Sequence, residues 1–151
     1  MARSLRTRLF QSWFRLTRPM TLGVRGLVTD DEGRIGLVRH SYVPGWMLPG
    51  GGVEKGETAG VALARELAEE LGVSLDGTPV LFGVYANAAS FPNDHVLLYR
   101  VTTWKACPPR AGAEIAERGF FPRDRLPEGT TAGTRARLAE VFDGVPPAPD
   151  W

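Results

Sequence analysis

A chain of 151 residues with 43% hydrophobic content suits one compact domain with a buried core, and its 23% charged residues are ordinary for a soluble protein. A formal net charge of +1 supplies no global field of the kind that marks a nucleic-acid binder, and no apolar run approaches the ~20 residues of a membrane-spanning helix. The single cysteine, Cys107, cannot close an internal disulfide and fits a reducing compartment, so a cytoplasmic protein is expected.

The first residues differ from the rest in composition. Arg3, Arg6, Arg8, Arg15, Arg18 and Arg25 all precede the first acidic residue, Asp30, and Leu5, Leu9, Phe10, Trp13, Phe14 and Leu16 are interleaved with them. Helical spacing puts Leu5, Leu9, Trp13 and Leu16 on one face of an amphipathic basic helix within residues 1–19, ended by Pro19. No continuous apolar stretch or small-residue cleavage site marks a secretory signal. The pattern predicts a helix packed on the domain or on a partner subunit, which makes a homodimer a candidate assembly. Contact with an anionic membrane surface is a secondary reading, and an arm on polyphosphate or a disordered tail comes after it.

Beyond Pro19, Leu22 to Thr29 reads as a strand, Asp30 to Gly33 as a turn, and Ile35 to His40 as the returning strand of a hairpin. Tyr42 to Pro49 is a Pro/Gly-punctuated loop with a short extended piece at Trp46 to Leu48. Gly50 to Gly56 is glycine-rich, and Thr58 is placed to cap a helix running to about Leu71 and stopped by Gly72. Val80 to Ala86 and Val96 to Trp104 read as strands, joined by a turn that contains Asn93, Asp94 and His95. Gly119 to Phe121 is a short strand, Pro122 to Pro127 a turn, and Thr131 to Phe142 a last helix. Residues 144–151 form a proline-rich tail expected to be loosely ordered. Strands and helices mix without regular alternation, which favours an α+β domain with a mixed sheet over residues 20–143.

The chemistry concentrates in Gly51 to Val73, GGVEKGETAGVALARELAEELGV. At ~100° per residue, Glu66, Glu69 and Glu70 share one stripe of the helix, with Val61, Ala64, Leu67, Ala68 and Leu71 opposite to anchor it on a sheet. Like charges on one stripe destabilise a helix by a few tenths of a kcal/mol per pair. A hard divalent cation with a taste for oxygen ligands offsets that repulsion; a solvated acidic face is the bland alternative. Arg65, one turn before Glu69, is spaced to hold that carboxylate's orientation.

This segment resembles the Nudix box, G-x5-E-x7-R-E-U-x-E-E-x-G-U with U a bulky aliphatic residue. Gly51, Glu57, Arg65, Glu66, Leu67, Glu69, Glu70, Gly72 and Val73 meet every fixed position, and Leu48-Pro49-Gly50 resembles the family's approach to the box. The resemblance implies an α/β/α sandwich around a mixed central sheet, with the N-terminal helix as an addition. It implies Mg2+ as cofactor, with Mn2+ able to substitute, held by Glu66, Glu69, Glu70 and the carbonyl of Gly50. Arg65 would orient a carboxylate and Glu57 would stabilise the loop–helix junction. The later-loop general base resembles Glu114, with Glu117 as the fallback. Arg39 and His40 at the end of the second strand would contact substrate, and Tyr42 and Trp46 would stack on a base; packing is the alternative for both aromatics.

The implied activity is a metal-dependent pyrophosphohydrolase acting on a small nucleotide-type substrate, a nucleoside diphosphate linked to another moiety such as a sugar. MutT-like hydrolysis of (oxidised) nucleoside triphosphates is the nearest alternative, and a non-catalytic ligand sensor the next. ADP-ribose pyrophosphatases tend to carry a proline 15–16 residues after the box, where this chain has Ala88 and Ala89.

Overall fold

The computed structural model describes residues 5–110 and 112–151, with side chains from Phe10 onward. Helix α1 (Leu5–Thr17) precedes β1 (Thr21–Val28), β2 (Ile35–His40) and β3 (Trp46–Met47). Helix α2 (Ala59–Glu66) runs directly into a π turn at Leu67–Leu71, followed by β4 (Val73–Leu75), β5 (Val80–Ala86), β6 (Asp94–Val101), β7 (Trp104–Ala106), β8 (Ile115–Phe121) and α3 (Ala132–Phe142).

Strand β6 pairs in parallel with β1 and antiparallel with β5, so this sheet is mixed. Strand β2 sits between β3 and β8, antiparallel to both, and β4 pairs with β7. Strand β1 alternates between two cores. Val24 and Val28 face Ala62, Leu63, Leu67 and Leu71 from α2 and the π turn, while Leu27 joins Leu37, Leu48, Leu98 and Leu138 on the α3 side. Burying each such aliphatic side chain contributes about 1.5–3 kcal/mol, enough to fix both helices on the strands. The expected α+β architecture with a mixed sheet is present.

Several expectations are corrected. Strands β1 and β2 are not a hairpin: one bridge, Thr29 to Ile35, joins them, and each finds its partners elsewhere. The local turn is real, with Gly33 N–H donating to Asp30 O at 2.9 Å. Strand pairing, however, follows which faces can be buried together, and the parallel partner of β1 lies some seventy residues away along the chain. The last strand begins at Ile115 rather than Gly119, because Glu117 and Arg118 break the apolar pattern while their backbones pair with Arg39 and Val38. Val61 faces solvent at 54% exposure instead of anchoring the helix; the buried arc is Ala62, Leu63, Leu67 and Leu71.

The tail is docked rather than loose. Trp151 N–H donates to Ala86 O at 2.9 Å, and Ala148 N–H donates to Glu140 Oε1 at 2.9 Å. The anchor is a buried pair in α3: Arg137 donates to Glu140 Oε1 at 2.7 Å and to Asp150 O at 2.8 Å, with its guanidinium over the Tyr85 ring at 4.1 Å. Glu140 also accepts from the Tyr85 hydroxyl at 2.8 Å. At the other end of the chain the described side chains of α1 do not pack on the domain, as the exposure of Trp13 and Leu16 shows (65% and 80%).

Candidate active site

The site is built where the glycine-rich segment meets α2. Thr58 starts the helix, its Oγ1 accepting the Val61 N–H at 3.2 Å. Two glycines then bring backbone and carboxylates into contact. Gly50 has φ +141° and a Cβ there would lie 2.0 Å from Val24 O; a Cβ on Gly51 would lie 2.5 Å from Glu66 Oε1. The π turn ends at Gly72 in the left-handed conformation, its N–H returning to Leu67 O. Such an i→i+5 widening is a frequent mark of functional sites. Here it carries Glu70 inward.

Glu70 is 6% exposed, with Oε2 accepting the Gly50 N–H at 2.8 Å. Burial, with Glu66 and Glu114 nearby, pushes its carboxyl up to about 7. Among the described residues no lysine or arginine lies within ion-pair distance of it; its neighbour is His40 Nε2, 3.3 Å from Oε1. Burial and the Arg25 charge lower the His40 pKa, which favours the uncharged imidazole beside Glu70. His40 Nδ1 is buried without a partner.

Arg65 forms the brace of the loop–helix junction. Nε donates to Glu57 Oε1 at 2.9 Å, Nη2 to Glu57 Oε2 at 3.0 Å and to Gly52 O at 3.1 Å, and Nη1 to Glu66 Oε1 at 2.7 Å. This fork holds Glu57 down to about 2, helped by the Glu54 N–H. The carboxylate it orients is therefore Glu66; Glu69, at 3.6 Å, is the looser contact, which corrects the pairing read from helical spacing alone. Replacing Arg65 by alanine is expected to raise the metal concentration needed for half-maximal activity about 10- to 100-fold, with lysine restoring little of it because it lacks the fork. A metal titration checks this, and an unchanged titration would show that the brace does not orient Glu66.

A cavity of about 420 Å³ is lined by Arg25, His40, Tyr42, Glu66, Glu70 and Glu114 together with Gly50 to Gly52. A second cleft of about 260 Å³ shares Arg25 and Met47 with it and is walled by Ser90, Thr134 and Trp151. A larger cleft of about 590 Å³ lies around Arg34, Arg123 and Asp143, far from these glutamates in its lining residues.

The anticipated residues thus separate. Glu66, Glu70, Glu114, Gly50, His40 and Tyr42 are brought together. Glu69 is 41% exposed on the flank beside Arg65. Arg39 and Glu117 pair with each other and do not line the cavity. Trp46 is not available for stacking: it is 8% exposed in the α3-side core, edge-on to Phe121 at 4.9 Å.

Arg25 was not anticipated as a site residue. It stands half-buried on β1, Nη1 donating to Leu48 O and Gly50 O at 2.9 Å each, and faces both cavities. The one signal was a charge inside an apolar strand.

Among the described residues no three histidine, cysteine or carboxylate side chains are already gathered around a metal position. Magnesium does not require that, since it keeps several waters and takes one or two carboxylates plus substrate phosphates. Glu66 and Glu70 on one cavity wall, next to the Gly50 carbonyl, fit such an ion, and a buried carboxylate without a cation is the group that gains most from one.

The sequence model of the family described as NUDIX domain matches residues 19–142. The chain is similar to an 8-oxo-dGTP diphosphatase of Proteus vulgaris, 35% identical over 86 residues that cover 53% of this chain and 74% of that one. It is also similar to an ADP-ribose pyrophosphatase of Methanocaldococcus jannaschii, 31% identical over 119 residues covering 76% and 69%. The crystal structure of a MutT NUDIX hydrolase from Burkholderia pseudomallei matches with a TM-score of 0.69 at 29% identity, covering 81% of this chain and 98% of that one.

Proposed function

Because the chain belongs to the Nudix hydrolase family, whose members use divalent metal ions, we propose that it is a Mg2+-dependent pyrophosphohydrolase cleaving a nucleoside diphosphate linked to another moiety. The observation that carries this reading is the Glu66–Glu70–Glu114 cavity beside Gly50, joined through Arg25 to a second cleft.

In this reading Glu66 and Glu70 hold the ion with the Gly50 carbonyl, and Glu69 contributes from the flank. When bound, the ion polarises phosphoryl oxygens and lowers the pKa of a coordinated water. Arg65 keeps Glu66 aimed, and His40 stands 3.3 Å from Glu70. Arg25, at the junction of the clefts, offers its guanidinium to a phosphate, a cationic donor set suited to the charge that spreads over transferring phosphoryl oxygens. Glu114 accepts the proton of the attacking water. The nucleoside lies in the second cleft between Met47 and the Trp151 indole, where a planar base finds apolar and aromatic walls, and Tyr42 borders the mouth.

Glu114→Gln is expected to lower kcat by about 10²- to 10⁴-fold, whereas Glu117→Gln leaves it nearly unchanged. The reverse result would move the base to Glu117, and neither effect would place it in the box.

A second reading, hydrolysis of (oxidised) nucleoside triphosphates, is supported by the similarity to an 8-oxo-dGTP diphosphatase. Hydrolysis of a panel of nucleoside triphosphates, dinucleotides and nucleotide-sugars with Mg2+ or Mn2+, with phosphorus NMR of the products, separates the two. Release of inorganic pyrophosphate marks the triphosphate reading; two organic phosphates mark the linked diphosphate. No turnover with either metal across the panel would overturn both.

A further inference from the structure

Helix α1 lies before the region matched by the family, and none of its described side chains lines the site. Its described apolar side chains stay in solvent: Phe10, Trp13, Leu16 and, just beyond it, Met20 are each more than half exposed. At ~100° per residue, Phe10, Trp13, Phe14 and Leu16 fall within an arc of roughly 160°, and Gln11, Ser12, Arg15 and Arg18 occupy the opposite side. The described aromatic contacts of α1 are local, Phe10 edge-on to Phe14 at 4.6 Å and Arg18, just past the helix end, over the Phe14 ring at 4.8 Å. Six arginines and no acid precede Asp30, while acidic residues outnumber basic ones in the remainder.

We propose that α1 is a docking element for an anionic lipid surface, lying in the bilayer interface with Phe10, Trp13, Phe14 and Leu16 buried among headgroups and upper acyl chains. A basic polar face opposite an aromatic and aliphatic one is the pattern of interfacial helices, and tryptophan favours the headgroup level. Charge selects this occupant. A second copy of α1 carries the same arginines and no acid to pair with them, whereas an anionic leaflet neutralises each arginine near it. Among the described residues no helix is long and apolar enough to cross a membrane, so the attachment is peripheral. Only Arg18, Pro19 and Met20 separate α1 from β1, so the bound helix keeps the hydrolase domain close to the surface.

The test is co-sedimentation of the full chain with vesicles of phosphatidylcholine alone and of phosphatidylcholine with roughly one third phosphatidylglycerol. Binding is expected to the anionic vesicles, at least about tenfold above the neutral ones, and to weaken as salt is raised. Trp13→Ser with Leu16→Ser, and separately Arg15→Glu with Arg18→Glu, are each expected to lower binding about tenfold or more. Both variants should keep the thermal melting temperature of the unmodified chain, because these side chains do not pack on the domain. Absence of binding to either vesicle, equal binding to both, or variants that bind like the unmodified chain would overturn the proposal. So would light scattering that shows a dimer dissolved by Trp13→Ser with Leu16→Ser, since the apolar face would then belong to a second copy.

Discussion

Glu70→Gln is expected to lower kcat/KM by about two to four orders of magnitude while the protein stays folded. Glutamine preserves the shape and can still accept the Gly50 N–H, but it removes the negative charge that a divalent ion would meet at the back of the cavity. The same substitution has an opposite effect on the metal-free protein. The Glu70 carboxyl is raised from its ordinary 4.5 to about 7 by burial. A group whose folded-state pKa lies above its unfolded value contributes stability that is fully present below about pH 4.5 and is lost as pH rises through about 7. That contribution is on the order of 3 kcal/mol, at about 1.4 kcal/mol per pKa unit. Metal-free protein should therefore lose stability in urea between pH 5 and 8, Glu70→Gln should flatten that slope, and Mg2+ should restore stability mainly at the higher pH. Full activity in Glu70→Gln would remove Glu70 from the metal set, and an unchanged pH slope would show that its burial carries no such penalty.

Arg137→Ala should produce the largest loss of stability, about 3–5 kcal/mol, because it leaves the Glu140 carboxylate buried without its cation and releases Asp150 O. Arg137 and Glu140 are both 2% exposed as side chains, so water cannot replace the lost partner. Replacing the pair together, Arg137→Met with Glu140→Leu, should cost much less, since no charge is then left in the core. Denaturant melts of the three proteins check this, and a double variant as unstable as Arg137→Ala would locate the cost in packing against Tyr85 and Trp151 instead. Release of the tail would also remove Trp151 from the second cleft, so KM for the nucleotide should rise in Arg137→Ala more than kcat falls.

The box was legible because its residues act over one or two helical turns. Arg65, Glu66 and Glu70 lie on one local element, and Gly50 and Gly51 are required by contacts with β1 and with Glu66 itself. Glu114 was legible only through its resemblance to a later-loop carboxylate; the fold carries it to the cavity by pairing β8 with β2 and tying Ser41 N–H to Glu114 O at 2.9 Å. Arg25 and Trp151 left no comparable local pattern. Arg25 reaches the cavity through the partners that β1 meets, and Trp151 reaches the second cleft through an anchor that joins the tail to α3 and β5. Trp46, an aromatic in a loop next to the glycines, carried the same local signature whether it stacked on a ligand or filled the core. Its burial against Phe121 was decided by residues distant in sequence.

By itself, the amino-acid order determined the class of fold and the carboxylate-bearing helix, because these follow from periodicity, capping and spacing along the chain, and it carried the family through the resemblance of residues 51–73 to the Nudix box. Tertiary structure alone decided which strands pair, which of the acidic residues share a cavity, and that the tail closes a second cleft. Each of those depends on groups far apart in sequence competing for the same buried space, where the cost of desolvating a charge and the gain from burying apolar area are settled only once the whole domain has closed.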